Sequence, residues 1–165
     1  MEVLFSPGRY TYVTSARNQE GGCILCGIRD SSDDEPNLVL LRSPLSYVLI
    51  NRYPYNNGHL MIVPNRHQGE LHGLTREERA DVIELAGGAE RILRETYRAQ
   101  GINLGMNLGE PAGAGILGHL HLHLVPRWSG DTNYMTVVGA TRVVPEEPQA
   151  TFARLKPLFS RLLTP

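Results

Sequence analysis

The 165-residue chain predicts an α+β fold built on an antiparallel sheet of about five strands. Three observations carry this. Short runs rich in Val, Ile, Leu and Tyr follow one another with only turns between them. A single long segment has apolar residues at helical spacing, and strands do not alternate with helices as they do in parallel sheets. Nearer the C-terminus, "GHLHLHLVPRW" (118–128) alternates histidine with leucine. In a strand this puts His119, His121 and His123 on one face and Leu120, Leu122 and Leu124 on the other.

The elements follow in order. Residues 1–22 form an irregular arm rich in Gly, Ser and Tyr, and "DSSDDEPN" (30–37) is a polar loop. "LVLLR" (38–42) and "YVLINRY" (47–53) read as two strands joined by the turn "SPLS". "YPYNNG" has loop chemistry, and "HLMIVP" (59–64) is a third strand. Thr75 and Glu78 make a T-x-x-E capping box. Behind it Val82, Leu85, Ala86, Ala89, Ile92 and Leu93 recur at helical spacing, and Gly101 is the expected stop. Gly87 and Gly88 inside this helix suggest a backbone passing close by. "INLGMNLG" (102–109) is a fourth strand and 118–125 a fifth, ended by Pro126. "YMTVVGATRVV" (134–144) adds a candidate sixth. A C-terminal helical segment (145–165) aligns Phe152, Leu155, Leu158, Phe159 and Leu162, with a kink or break expected at Pro157. Repeats and low-complexity tracts are absent, so the chain reads as one domain, 1–165.

Composition narrows the function classes. A net charge of −1 with 20% charged residues argues against a nucleic-acid partner. The longest apolar run, "LHLHLV", is far too short to cross a membrane. The N-terminus lacks the basic-then-apolar layout of a secretory signal, so the expected location is the cytoplasm. Cys23 and Cys26 form a C-x-x-C pair, which in that compartment means metal or redox chemistry instead of a structural disulfide.

Three of the chain's six histidines on one strand face suggest chemistry, since imidazoles titrate near neutrality. Two readings compete. The histidines could bind a catalytic metal. That chemistry wants a nearby carboxylate base, and the flanks offer only Glu110 and Asp131. Alternatively, one neutral imidazole is a nucleophile toward phosphorus and its neighbours orient it. The glycine-rich "GEPAGAG" upstream favours the second, because backbone N–H groups can approach phosphate oxygens there without obstruction.

These residues resemble a known family. "HLHLHLV" is similar to the His-φ-His-φ-His-φ-φ pattern of the histidine triad (HIT) superfamily of nucleotide hydrolases and transferases. "NRYPYNNGHLMIVPNRH" (51–67) resembles its upstream signature, and "CILC" resembles the C-x-x-C of many bacterial members. The likeness covers roughly residues 5–140. Within the family, the chain is similar to the branch of diadenosine tetraphosphate phosphorylases and related adenylyltransferases. The resemblance implies a homodimer or higher assembly, an adenine nucleotide as substrate and inorganic phosphate as acceptor.

Residue by residue, it implies that His121 attacks the α-phosphorus and becomes nucleotidylated. His123 holds phosphate oxygens, and His59, the family's fourth histidine, supports the triad. Asn51 binds ribose hydroxyls and Asn107 faces the phosphates. It also implies a structural zinc held by Cys23, Cys26, His67 and the first triad histidine, His119; no organic cofactor is expected. The chain departs from many relatives where they carry a polar pair after Ala-Gly. Here Ala112, Gly113, Ala114 and Gly115 offer only backbone donors, which fits a site with room for a small anion. Trp128, the only tryptophan, either packs or stacks on adenine, and Arg127 is near enough to reach a polyphosphate. Three functions stay open: phosphorolysis of a dinucleoside polyphosphate, hydrolysis of such compounds or of nucleoside phosphoramidates through the same intermediate, and nucleotide-binding signalling with a slow triad.

Overall fold

The computed structural model describes residues 22–132, 138 and 146–162. The arm, except its last residue, and the strand expected at 134–144, except Val138, lie outside the described residues. Within them the order is α1 (Ile24–Asp30), β1 (Val39–Arg42), β2 (Ser46–Ile50), β3 (Leu60–Pro64), α2 (Arg76–Tyr97), β4 (Gly101–Gly105), β5 (Leu122–Arg127) and α3 (Pro148–Phe159). The five strands form one antiparallel sheet in the order β1-β2-β3-β5-β4.

Both faces of this sheet are covered, which explains why β1 to β3 read as continuous apolar runs. On one face Val48, Ile50, Leu60, Ile62, Leu122 and Leu124 pack against the apolar stripe of α2 and against Phe152, Leu155 and Phe159 of α3. On the other, Tyr47, Leu49, Met61 and Val63 pack with Leu25 of α1. The period-two geometry of strands makes this sorting automatic. His121 and His123, alternating with Leu122, are therefore on the α1 side.

α2 starts as expected. Thr75 Oγ1 accepts the Glu78 N–H, and Glu78 Oε2 accepts the Thr75 N–H at 2.7 Å. Arg66 grips the same carboxylate, with Nη2 at 2.6 Å. The helix stops at Arg98, in the left-handed region at φ 51°, and Gly101 instead opens β4. What lies over Gly88 is a side chain and not a backbone: a Cβ there would meet Leu162 at 3.0 Å, while Gly87 has open space.

Proline ended neither element at the residue expected. β5 continues through Pro126 to Arg127. Its pairing with β3 has ended at Leu124, so on that side Pro126 faces the 51–59 loop, where its carbonyl accepts from Asn56, and no ladder donor is missed. α3 likewise runs through Pro157 and ends two residues later. The fourth strand is shorter than expected, because the chain leaves the sheet at Gly105.

Candidate functional site

The triad divides between two clusters. His119 and His121 precede β5, which begins at Leu122, and all three triad histidines are buried. The Leu120 N–H donates to the Gln68 carbonyl at 2.7 Å, anchoring the stretch between the first two histidines.

Backbone partners fix the tautomers of the second cluster. His121 Nδ1 lies 3.0 Å from the carbonyl of His119. A carbonyl only accepts, so Nδ1 carries the proton and Nε2 keeps its lone pair. Burial pushes the His121 pKa below its ordinary value, which keeps the ring neutral near pH 7. On the neighbouring ring the order of donors is reversed. The Tyr55 N–H donates to His59 Nδ1 at 3.0 Å. His59 therefore carries its proton on Nε2 and donates to His123 Nδ1 at 2.9 Å. That leaves His123 protonated on Nε2. The His121 and His123 rings lie edge to face at 4.8 Å. A lone-pair nitrogen thus stands beside an N–H donor, an arrangement suited to attack on an electrophile that carries negative oxygens.

The other cluster is a group of side chains that could hold a metal ion. Cys23, Cys26, His67 and His119 bring their ligand atoms within 4.8 Å of one another. His119 Nε2–H donates to the Pro64 carbonyl at 2.8 Å, which turns the Nδ1 lone pair toward the sulfurs of Cys23 at 3.4 Å and Cys26 at 3.5 Å. His67 Nδ1 is 3.3 Å from Cys26 Sγ. For tetrahedral zinc, the usual Zn–S and Zn–N bond lengths place sulfur about 3.6 Å from nitrogen. The donor set and its spacing therefore fit that ion. His119 belongs to both clusters: its ring faces the thiols while its carbonyl orients His121.

The remaining predicted residues are placed as follows. Asn51 Oδ1 accepts the Tyr53 N–H at 2.9 Å, and its Nδ2 is 3.3 Å from His59 Nδ1, so it braces the 51–59 loop and the fourth histidine. Asn107 Nδ2 donates to the Gly113 carbonyl. The glycine-rich loop turns two of the expected donors inward. Gly113 N–H bonds Glu110 O at 2.9 Å, and Ala114 N–H bonds Gly109 O at 3.3 Å. Gly115 makes no such bond among the described residues, and a Cβ there would meet nothing within 4 Å. Trp128 Nε1 donates to the Tyr97 carbonyl at the end of α2, a packing contact. Arg127 forms a two-pronged ion pair with Asp131, at 2.6 and 2.8 Å, and also reaches Asn103.

Sequence reasoning missed α1 and the backbone groups of Tyr55 and Pro64. No side-chain signal marks a peptide N–H or carbonyl as a tautomer-setting group.

Fold and site together define an α+β protein in which a buried histidine cluster adjoins a Cys₂His₂ group of metal-ligand type. The chain belongs to the HIT domain family, which it matches over residues 32–130. It is 45% identical over 113 residues to an AP-4-A phosphorylase of Mycobacterium tuberculosis, covering 68% of this chain and 58% of that protein. A bis(5'-nucleosyl)-tetraphosphatase [asymmetrical] of Schizosaccharomyces pombe is 29% identical over 93 residues, covering 56% of this chain and half of that protein. Among solved structures, a Zn-bound histidine triad family protein from Mycobacterium smegmatis superposes with a TM-score of 0.67 at 25% identity, covering 86% of this chain and 95% of its own. The chain thus spans a little over half the length of the phosphorylase it resembles.

Proposed function

We propose that the protein is an enzyme transferring a nucleotidyl group through a covalent nucleotidyl-His121 intermediate, most simply in the phosphorolysis of diadenosine tetraphosphate to ADP and ATP. The observation that carries this reading is the His121 Nδ1–His119 carbonyl bond, which leaves Nε2 as the nucleophilic atom. In the first step Nε2 attacks the α-phosphorus, a P–N bond forms, and the P–O bond to the leaving ATP breaks. The His119 carbonyl offsets the positive charge that develops on the His121 ring. The His123 Nε2–H holds a non-bridging oxygen, its proton fixed there by the Tyr55–His59 relay. Inorganic phosphate then attacks the same phosphorus, the P–N bond breaks, and ADP leaves. Asn51 is assigned to the ribose. Asn107 is assigned to the phosphates, which the Gly115 N–H joins in holding, while Gly113 and Ala114 shape the loop. Trp128 is assigned to packing.

Cys23, Cys26, His67 and His119 are proposed to hold zinc, which would supply structural cross-linking and no chemistry at phosphorus. The protein is proposed to work as a homodimer, supported by the outer edge of β4, which pairs with no further strand among the described residues and where Leu104 is 49% exposed. A reducing compartment such as the cytoplasm suits the thiol pair. Product analysis with diadenosine tetraphosphate tests the reaction. Phosphate-dependent formation of ADP with ATP is expected, whereas phosphate-independent formation of AMP with ATP would make the enzyme a hydrolase.

A further inference from the structure

A small pocket of about 240 Å³ lies along the same sheet face as the nucleophile. Its floor is Val125, two residues beyond His123 and so on the same side of β5. In the β4–β5 register Asn103 stands opposite Val125 and Gly105 opposite His123. Directly opposed residues of an antiparallel pair project to one face, so Asn103 forms a wall of the pocket. Gly105, by contrast, has no side chain, and a Cβ there would meet nothing within 4 Å. No side chain at Gly105 therefore stands between His123 and the pocket. With the His121 and His123 rings 4.8 Å apart and Val125 about 7 Å further along the strand, the pocket begins about 12 Å from the attacking ring.

Its chemistry is polar and electrically balanced. Arg127 enters it, but the two-pronged contact with Asp131 neutralises the guanidinium, which makes the pocket unsuited to phosphate. Tyr55 supplies an aromatic wall whose ring is 5.8 Å from that of His123. Asn103 Oδ1 accepts from Arg127 Nη1 at 2.9 Å, while its amide N–H groups make no hydrogen bond among the described residues. Thr132 adds a hydroxyl. An aromatic face with neutral hydrogen-bonding groups suits a nucleobase. The volume lies just under the roughly 300 Å³ at which pockets for whole drug-sized ligands begin, room for a base with its sugar partly outside.

We propose that this pocket seats the nucleoside of the leaving half of a dinucleoside polyphosphate. The phosphate bridge would span the interval from His121, past Gly105, to Asn103. The assignment rests on the nucleotidyl-transfer reading above and adds a second subsite to it, one that favours substrates with a nucleoside at both ends.

The experiment compares two substrates sharing the same reacting half. Diadenosine tetraphosphate carries a distal nucleoside; the p-nitrophenyl ester of AMP does not. Asn103→Ala should lower kcat/KM for diadenosine tetraphosphate about fivefold, the value of one neutral hydrogen bond. Val125→Phe, which fills the floor, should lower it about tenfold or more. Both variants should cleave the ester at the wild-type rate, which also reports that they are folded. Equal losses on both substrates, or no loss on either, would overturn the assignment. A wild-type enzyme that cleaves the ester but no dinucleoside polyphosphate would overturn the parent reading, and the pocket's role with it.

Discussion

Replacing His59 with leucine tests the proton relay behind the nucleophile. His59 is fully buried; it accepts the Tyr55 N–H at 3.0 Å, lies 3.3 Å from Asn51 Nδ2, and donates to His123 Nδ1 at 2.9 Å. Leucine fills a similar volume and makes none of these contacts. A buried polar atom stripped of its partner costs about 1–3 kcal/mol. If only the His123 side of that loss is felt at the transition state, kcat/KM should fall between about 5-fold and 150-fold, since 1.4 kcal/mol is a factor of ten. The Tyr55 side should appear as lost stability instead. Steady-state kinetics gives the first quantity and thermal unfolding the second. Long-range ¹H–¹⁵N spectra of the ring nitrogens give the cause directly: wild type should show His123 protonated on Nε2, and the variant should show the proton redistributed. His59→Gln, whose amide can still donate, should fall between the two. A leucine variant with unchanged kcat/KM and an unchanged His123 tautomer would refute the relay.

The metal-binding group gives a prediction that separates folding from chemistry. Protein prepared without chelator should carry one zinc for the four ligands. Cys23→Ser should lose most of it, and about 2 kcal/mol or more of stability, some 4–8 °C in Tm, while activity per folded molecule falls less; zinc-free wild-type protein of undiminished Tm would end the idea. Arg66 holds the Glu78 carboxyl down at about 2 against an ordinary 4.5. Because the folded value is the lower one, this stabilisation is complete above the unfolded value and disappears as pH falls through about 2. Arg66 is 45% exposed, so solvent reduces the contribution to about 1–2 kcal/mol. Glu78→Gln should show that deficit near neutrality and converge with wild type in acid, and a pH-independent deficit would contradict the ion pair. Trp128→Phe removes the donor to the Tyr97 carbonyl, costing about 0.5–1.5 kcal/mol of stability with nucleotide affinity unchanged. A weakened affinity at constant Tm would instead assign the indole to the base.

The elements with strong local signals were legible in the sequence. The capping box located α2 to the residue, and the alternation of Leu122, His123 and Leu124 sorted the two faces of β5. Boundaries failed where a tertiary circumstance removed a residue's usual penalty. Pro126 sits where pairing with β3 has already ended, and Pro157 is close enough to the end of α3 to be tolerated. α1 was invisible because seven residues containing Gly27 and Cys26 show no apolar period. The C-x-x-C pattern marked Cys23 and Cys26 as metal-type side chains, and the family resemblance added His67 and His119 to them. The donors and acceptors that set each imidazole's tautomer are peptide groups of Tyr55, Pro64 and His119, and every residue has those. The inward turn of the Gly113 and Ala114 N–H groups was hidden for the same reason.

The central claim, attack by His121 to form a covalent intermediate, meets its most direct test in the stereochemistry at the transferred phosphorus. A dinucleoside polyphosphate made chiral at the α-phosphorus by sulfur substitution would be converted in the presence of phosphate and the product's configuration determined. Two successive in-line displacements, onto His121 Nε2 and off it, return the original configuration, so net retention is the predicted result. Net inversion would mean a single direct displacement, with no nucleotidyl-histidine on the path.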